Sequence, residues 1–119
     1  MRRKLCRGKL SMQLHPLKHV VIVTEQILKD QIIQKAHELG AAGCTFQEVQ
    51  GIGSRGARSG GVDGENTRIE VVCDQEVAEA ILTFVSHHYF EHYACIAWVA
   101  DVSVVRGARY SRQKAGSLL

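Results

Sequence analysis

The sequence is short of three features, and each absence narrows what the protein can be. No apolar run approaches the roughly 20 residues needed to cross a bilayer. The basic N-terminal segment lacks the apolar stretch of a secretory signal. The four cysteines are 38, 29 and 22 residues apart, so they form neither a C-x-x-C zinc motif nor a dense disulfide framework. We therefore expect one cytoplasmic domain in these 119 residues, with reduced thiols and no metal.

Acidic residues are missing from both ends of the chain. Residues 1–19 carry six Lys or Arg and residues 106–119 carry four, whereas residues 20–105 hold all 12 acids against five basic residues. A core with that excess of negative charge repels a polyanion, so any nucleic-acid binding would have to use the basic tails, placed at residues 1–17 and 107–119. Because such tails equally suit solvated chain ends, we expect no nucleic-acid partner.

The domain between the tails, residues 18–106, alternates β-type and helical patterns. Short β-branched or alternating apolar runs predict four strands, and apolar residues at helical spacing predict two helices. Thr24 and Asp74 precede the helical stretches as N-caps, and Gly40 follows the first as a helix stop. The predicted strands cover residues 19–23, 44–49, 67–73 and 94–105, and the predicted helices cover residues 25–39 and 75–90.

The order of these elements, β-α-β-loop-β-α-β, predicts a fold class. It is typical of the α+β, ferredoxin-like βαββαβ fold, in which two helices cover one face of a four-stranded antiparallel sheet. The last strand carries apolar residues on both faces, with Ile96 and Trp98 on one side and Cys95 and Ala97 on the other. The face without helices therefore also needs a cover. Another copy of the chain can supply it, so we expect a homo-oligomer.

A glycine-rich loop at residues 51–66 joins two strands that a much shorter turn could connect. Its six glycines tolerate close approach of the backbone to a ligand. Arg55 and Arg58 add forked donors suited to phosphate or carboxylate, yet the loop lacks the P-loop and dinucleotide-binding motifs. On residue types alone, three interpretations stay open: an anion or nucleotide cradle, a partner-docking loop and a solvated connection.

Other arrangements that could carry chemistry are weaker. His88 and His92 could hold a metal from one helical face, but His88 continues the apolar stripe of the second helix, so we interpret both as structural. No carboxylate pair or Ser/His/Asp arrangement stands out, and we expect no enzyme activity. An RNA-binding sheet combines basic and aromatic residues on its exposed face, whereas Arg68 stands alone there.

Two segments resemble a known family. Residues 43–53, GCTFQEVQGIG, resemble the strand that leads into the T-loop of PII signal-transduction proteins, where a G-x-T-x-x-E-V-x-G-x-G pattern precedes a long mobile loop. Residues 68–72, RIEVV, resemble the strand that returns from it, and the order of elements agrees over residues 19–106. The continuation with Arg55 and Arg58 is more similar to the PII-like carbon-sensing branch, which includes SbtB and the carboxysome-associated protein CPII, than to nitrogen-sensing PII.

The resemblance implies a specific site. PII-like proteins are homotrimers that bind adenine nucleotides in the clefts between subunits and signal by ordering or releasing the T-loop. Transferred by position, the implied contacts lie along the base of the loop, on the two strands beside the adenosine and on arginines near phosphate. The implied nucleotide-binding residues are Gly43, Cys44, Thr45, Gly51, Ile52, Gly53, Arg55, Arg58, Glu70, Val72 and Arg106, and bicarbonate would contact Arg58, Ser59 and Gly60.

Departures from the family pattern narrow the ligand. The loop lacks the tyrosine that nitrogen-sensing PII presents for uridylylation, and Cys95 stands where that group has a phosphate-binding lysine. A thiol supplies no charge there, which favours ADP or AMP over a triphosphate with magnesium. The chain also lacks the C-terminal C-G-P-x-x-C loop of many SbtB proteins. These features favour the carboxysome-associated type, which is linked to ADP or AMP and to bicarbonate.

The expected function is control of a partner in inorganic-carbon metabolism through T-loop ordering. That partner would be a bicarbonate transporter or a carboxysome component, which would place the protein in the cytoplasm beside a carboxysome. One alternative is an SbtB-like sensor of cyclic AMP that docks on a membrane bicarbonate transporter. The other is a nucleic-acid-binding protein that acts through its basic tails.

Overall fold

The computed structural model describes residues 13–52 and 65–110. Within them, four strands form one antiparallel sheet in the order β2-β3-β1-β4, and two helices pack on one of its faces. This confirms the ferredoxin-like prediction. The elements are β1 Leu14–Glu25, a 3-10 helix at Gln26–Leu28, α1 Lys29–Glu38, β2 Thr45–Gln50, β3 Glu65–Cys73, α2 Gln75–Tyr89, β4 Cys95–Val105 and a 3-10 helix at Gly107–Tyr110.

The hydrophobic core lies between the helices and the sheet. Alternate residues of the two central strands face the helices because side chains alternate along a strand, and both helices contribute an apolar stripe. Its fully buried members include Val20, Ile22, Ile69, Val71 and Cys73 from the strands, and Ile32, Ala36, Val77, Ile81 and Val85 from the helices. None of the described helices is long and apolar enough to span a membrane.

The first strand is much longer than predicted. β1 has 12 residues and pairs along its length with β4, from Leu14 opposite Val105 to Thr24 opposite Cys95. The polar residues in its first half interrupt the apolar pattern, so the sequence did not indicate the full length of the strand. In the structure they are paired, as in the ion pair of Lys18 with Asp101. Residues 14–17, assigned above to the basic N-terminal tail, are therefore part of the sheet.

The prediction that Thr24 caps the first helix is wrong. Thr24 and Glu25 both lie in β1, and α1 begins only at Lys29, after the 3-10 helix. The Thr24 hydroxyl donates to the carbonyl of Ala94 (3.1 Å), and a Glu25 carboxylate oxygen accepts from the Ala94 amide (2.8 Å). Both side chains thus hold the start of β4 instead of capping a helix. Gly40, at φ 117°, does follow the helix end as expected.

The second helix begins as predicted, but a different residue is buried in its last turn. Asp74 is its N-cap and accepts from the Val77 amide at 3.0 Å. At the other end Tyr89 is buried, whereas His88 is exposed and donates from Nδ1 to the carbonyl of Phe84 (3.0 Å). His88 therefore does not continue the apolar stripe, and its hydrogen bond and its closest ring contact are both with Phe84, one helical turn earlier.

The chain turns back after β4. Arg106 has a positive φ of 64°, an uncommon conformation for a residue with a side chain, and the 3-10 helix that follows lies against β1. Gly107 packs so closely on His15 that an added Cβ would be 2.3 Å from the histidine Cβ. Part of the predicted C-terminal tail is thus packed on the sheet at the end where β1 begins.

Candidate functional site

One face of the sheet is not covered by either helix, and we call it the open face. It carries the odd-numbered residues of β1 from Leu17 to Val23 and the even-numbered residues of β3 and β4. Ile96 is 58% exposed and Trp98 is 42% exposed on it. Apolar groups of this size left open to water indicate a surface that another molecule covers.

A polar cluster of three side chains lies at the centre of the open face, and we call it the Glu70 cluster. One Glu70 carboxylate oxygen is 2.9 Å from Nε2 of His19, and the other accepts from Nε of Arg68 at 3.0 Å. The Arg68 guanidinium lies 5.7 Å from the centre of the Trp98 ring, a cation-π distance. These contacts connect β3, β1 and β4 on the open face.

The Glu70 cluster covers part of the sheet that would otherwise be exposed. β1 lies between β3 and β4, and Val21 faces Glu70 on one side and Trp98 on the other. Because Arg68 reaches across β1 to Trp98, its side chain passes above this position. Val21 is completely buried, although neither of the two described helices covers this face.

The electrostatics of the cluster favour an ionised Glu70. The hydrogen bond from Arg68 is the main cause that holds the pKa of Glu70 below its usual 4.5, and the bond with His19 adds to it. The description of Arg68 as isolated was therefore wrong. It is paired with Glu70 and lies at cation-π distance from Trp98. The pair with Glu70 could be inferred from their i, i+2 spacing on one strand. The contacts with His19 and Trp98 could not, because those residues are far away in the sequence.

Some of the implied nucleotide-binding residues do lie together. Thr45 is the first residue of β2 and lies directly opposite Glu70. Val72 lies two residues after Glu70 on β3, on the same face. Gly43 is exposed with open space around its Cα, so a ligand can approach the backbone there. Cys44, between Gly43 and Thr45, is half-buried against the core. This group forms one continuous part of the sheet surface.

The other described members lie elsewhere. Gly51 and Ile52 follow the far end of β2, five strand positions beyond Thr45, which corresponds to about 17 Å. Ile52 is 86% exposed. Arg106 lies beyond the opposite end of the sheet, next to the start of β1. The structure therefore separates the implied residues into three places along a single chain.

The remaining implied residues lie outside the described ranges. These are Gly53, Arg55, Arg58, Ser59 and Gly60.

Burial keeps the thiols near the site neutral. It raises the pKa of Cys44 and of Cys95, and it raises the pKa of Cys73 to about 12. At neutral pH Cys95 therefore contributes no charge toward a phosphate, and none of the three is an activated nucleophile. Within residues 13–52 and 65–110, no three His, Cys, Asp or Glu side chains come together as a metal site.

A surface groove lies apart from these residues. It has a volume of about 460 Å³. It runs between the start of α2, the first half of β1 and the second half of β4, where Lys18 and Asp101 form their ion pair. It contains none of the implied nucleotide-binding residues.

Comparison with known proteins identifies relatives of this arrangement. Residues 17–109 match the family described as nitrogen regulatory protein P-II. A crystal structure of a PII-like signalling protein from Thermus thermophilus is 45% identical, covers 83% of this chain and 99% of its own, and superposes with a TM-score of 0.72.

Structures of CPII from Thiomonas intermedia are also similar. One, bound to ADP and bicarbonate, is 25% identical, covers 83% of this chain and 98% of its own, and has a TM-score of 0.74. Another, bound to ADP, AMP and bicarbonate, is 22% identical, covers 85% of this chain and 99% of its own, and has the same TM-score of 0.74. A similarity at this level of identity shows a shared fold only.

Proposed function

This chain belongs to the PII family of signal-transduction proteins, and we propose that it is a trimeric, non-enzymatic regulator that binds ADP or AMP in the clefts between its subunits. The family match and the 45% identical relative support the regulatory role. The proposal goes further in naming the ligand, its location and the residues that bind it.

The separation of the implied residues along the sheet carries this proposal. Gly51 follows one end of β2, whereas Arg106 follows β4 at the opposite end of β1, whose 12 residues span about 36 Å. No single nucleotide can touch both ends of one chain. Residues from two chains can meet around one ligand, so a cleft between subunits is the arrangement in which both ends serve one site.

The open face supplies a reason to assemble. Its edge strand β4 carries Ile96 and Trp98, half-exposed beside a cluster whose charges are already paired. Burying these apolar groups against other copies removes them from water without leaving an unpaired charge. Three chains that meet through this face would place their sheet ends beside one another.

The ligand class follows from the residues and the similar proteins. CPII, at 25% identity, was solved with ADP and bicarbonate. In this chain Arg55 and Arg58 offer forked donors, while the neutral Cys95 adds no charge for a third phosphate. We propose ADP or AMP as the ligand, with bicarbonate held by Arg58, Ser59 and Gly60.

The proposed signal is a change in the order of the T-loop. Charge-assisted bonds from Arg55 and Arg58 to phosphate would offset the entropy of ordering a glycine-rich loop. The ordered loop would present a surface to a partner in inorganic-carbon metabolism, a bicarbonate transporter or a carboxysome component. A cytoplasmic location beside the carboxysome belongs to the same proposal.

Calorimetry on the purified chain tests the proposal. ADP, AMP, cyclic AMP and ATP are titrated separately, each with and without bicarbonate, and sedimentation measures the mass of the same sample. We expect a trimer that binds ADP or AMP more tightly than ATP, with bicarbonate increasing the affinity. A trimer that binds none of these nucleotides would exclude the proposal, and a preference for cyclic AMP would favour the SbtB-like alternative.

A double variant tests the loop arginines. Arg55→Ala with Arg58→Ala should lower ADP affinity by at least tenfold, an estimate based on about 1.5–3 kcal/mol for each charge-assisted bond, while the trimer persists. Lys35→Ala is the control, since it removes a cation of α1 that pairs with Glu38 at the surface (3.6 Å). Unchanged affinity in the double variant would locate the phosphate elsewhere.

A further inference from the structure

The Glu70 cluster holds one of the implied nucleotide contacts in a fixed orientation. The Glu70 carboxylate is bonded through both oxygens, at 2.9 Å to His19 and at 3.0 Å to Arg68, and its side chain is only 32% exposed. Each oxygen has a second lone pair and can accept another hydrogen bond. The carboxylate is thus oriented before any ligand arrives.

The hydrogen-bond chemistry defines the role of His19. An ionised carboxylate only accepts hydrogen bonds, so the ring nitrogen that faces it, Nε2, must carry the proton. Neutral His19 therefore donates one neutral N–H bond to Glu70. The ionised carboxylate already makes this bond charge-assisted. When the imidazole is also protonated, the bond becomes an ion pair, which cancels part of the negative charge of the carboxylate.

Within one chain, few other groups can influence His19. On the open face it lies between Val72 of β3 and Ala100 of β4, neither of which titrates. Arg68 and Glu70 are the charged groups of β3 on this face, and His15 lies four residues earlier on β1. Lys18 and Asp101 pair on the opposite side of the sheet. In the part of the chain that the structure describes, no helix packs against His19 on this face.

We propose that His19 and Arg68 are positioning residues that orient Glu70 for the adenosine of a bound nucleotide, and that His19 makes the affinity of this site depend on pH. The inference rests on the proposed nucleotide function. Arg68 is itself held against Trp98, so the orientation of Glu70 depends on all three strands that meet at the cluster.

The pH dependence has a definite sign. Protonated His19 holds Glu70 more firmly and reduces the negative charge near an anionic ligand. Histidine is the side chain that gains a charge within the physiological pH range, so nucleotide affinity should rise as the pH falls from about 7.5 to about 5.5. The phosphate of the nucleotide also gains protons in this range, so a variant without an ionisable group at position 19 must serve as the reference.

Two variants of His19 separate position from charge. His19→Gln keeps an N–H donor but cannot be protonated, and His19→Leu removes the donor. Calorimetry with ADP at pH 7 should show about fivefold to tenfold weaker binding for His19→Leu, the effect of losing one such bond, and binding within about twofold of wild type for His19→Gln. Between pH 7.5 and 5.5 wild-type affinity should rise about threefold more than that of His19→Gln, because only the wild type gains a charge at this position.

The outcomes are distinct. Equal affinities of His19→Leu and wild type, with thermal stability and trimer mass unchanged, would overturn the positioning role. Parallel pH profiles of wild type and His19→Gln would overturn the pH dependence.

Failure of the proposed function is recognised separately. In that case wild type binds no nucleotide at any pH, and the inference falls with it. The contact itself can still be followed by carbon NMR of the Glu70 carboxyl in the ligand-free protein, where Arg68→Met should change the titration more than His19→Leu.

Discussion

The two faces of the sheet are built on different principles. The helix-covered face is a continuous apolar layer in which residues such as Ile22 and Ile69 are completely buried. The open face combines half-exposed apolar groups with the Glu70 cluster, and Val21 is completely buried there although neither described helix covers it. The first face stabilises one chain, whereas the second is complete only when another surface meets it.

Truncating one residue on each face should give the clearest contrast. Ile22→Ala removes a completely buried side chain and should lower the free energy of unfolding by about 2–5 kcal/mol. Ile96→Ala removes one that is 58% exposed on the neighbouring strand, so it should cost the isolated chain much less while weakening association. Urea denaturation and sedimentation measure the two effects, and similar unfolding costs would refute the distinction.

Gly107 tests the place where the chain folds back onto the sheet. In Gly107→Ala the added Cβ would lie 2.3 Å from the Cβ of His15 and 2.5 Å from its Cγ, so one of the two must move. We expect a loss of about 1–3 kcal/mol, the usual cost of overpacking. Gly51→Ala is the control, since nothing lies within 4 Å of its added Cβ. Equal thermal stability of both variants would show that this packing contributes nothing.

Acid should produce the smallest effect, and its sign is fixed by the lowered pKa of Glu70. A carboxyl whose pKa lies below the usual 4.5 contributes its full stability above that value and loses it as pH falls through the lowered folded value. Arg68→Met removes the main cause of this lowering. The variant should therefore lose less stability than wild type between about pH 5 and pH 3, by a few tenths of a kcal/mol for a partly exposed pair.

Urea denaturation at both pH values measures this difference. Lys35→Met, which breaks the surface pair with Glu38, serves as the control. Identical acid dependence of Arg68→Met and wild type would mean that the ion pair of Arg68 and Glu70 adds no stability.

The sequence patterns predicted the helix-covered face better than the open face. Apolar periodicity identified Ile69, Val71 and Cys73 as one buried row, and the N-cap Asp74 was evident from its position before an apolar helix. These features depend on residues close together in the chain. Patterns of that range are sufficient wherever burial alone decides the structure.

Long-range polar contacts could not be predicted in this way. Thr24 is of a residue type that often caps helices, but its hydroxyl donates to the backbone carbonyl of Ala94, 70 positions away, instead. His19 and Glu70 are 51 residues apart and meet only through strand pairing. The extent of β1 was underestimated for the same reason, because Lys18 appears unsuitable for a sheet until Asp101 is placed opposite it.

The length of β1 has a mechanical consequence. It is hydrogen-bonded to β3 on one side and to β4 on the other, so it resists bending over much of its 12 residues. In the proposed trimer, the Gly51 end and the Arg106 end of a chain would belong to two different clefts, about 36 Å apart along the strand. A displacement at one cleft would then be transmitted to the next as a tilt of the whole sheet, without any change in its internal hydrogen bonds.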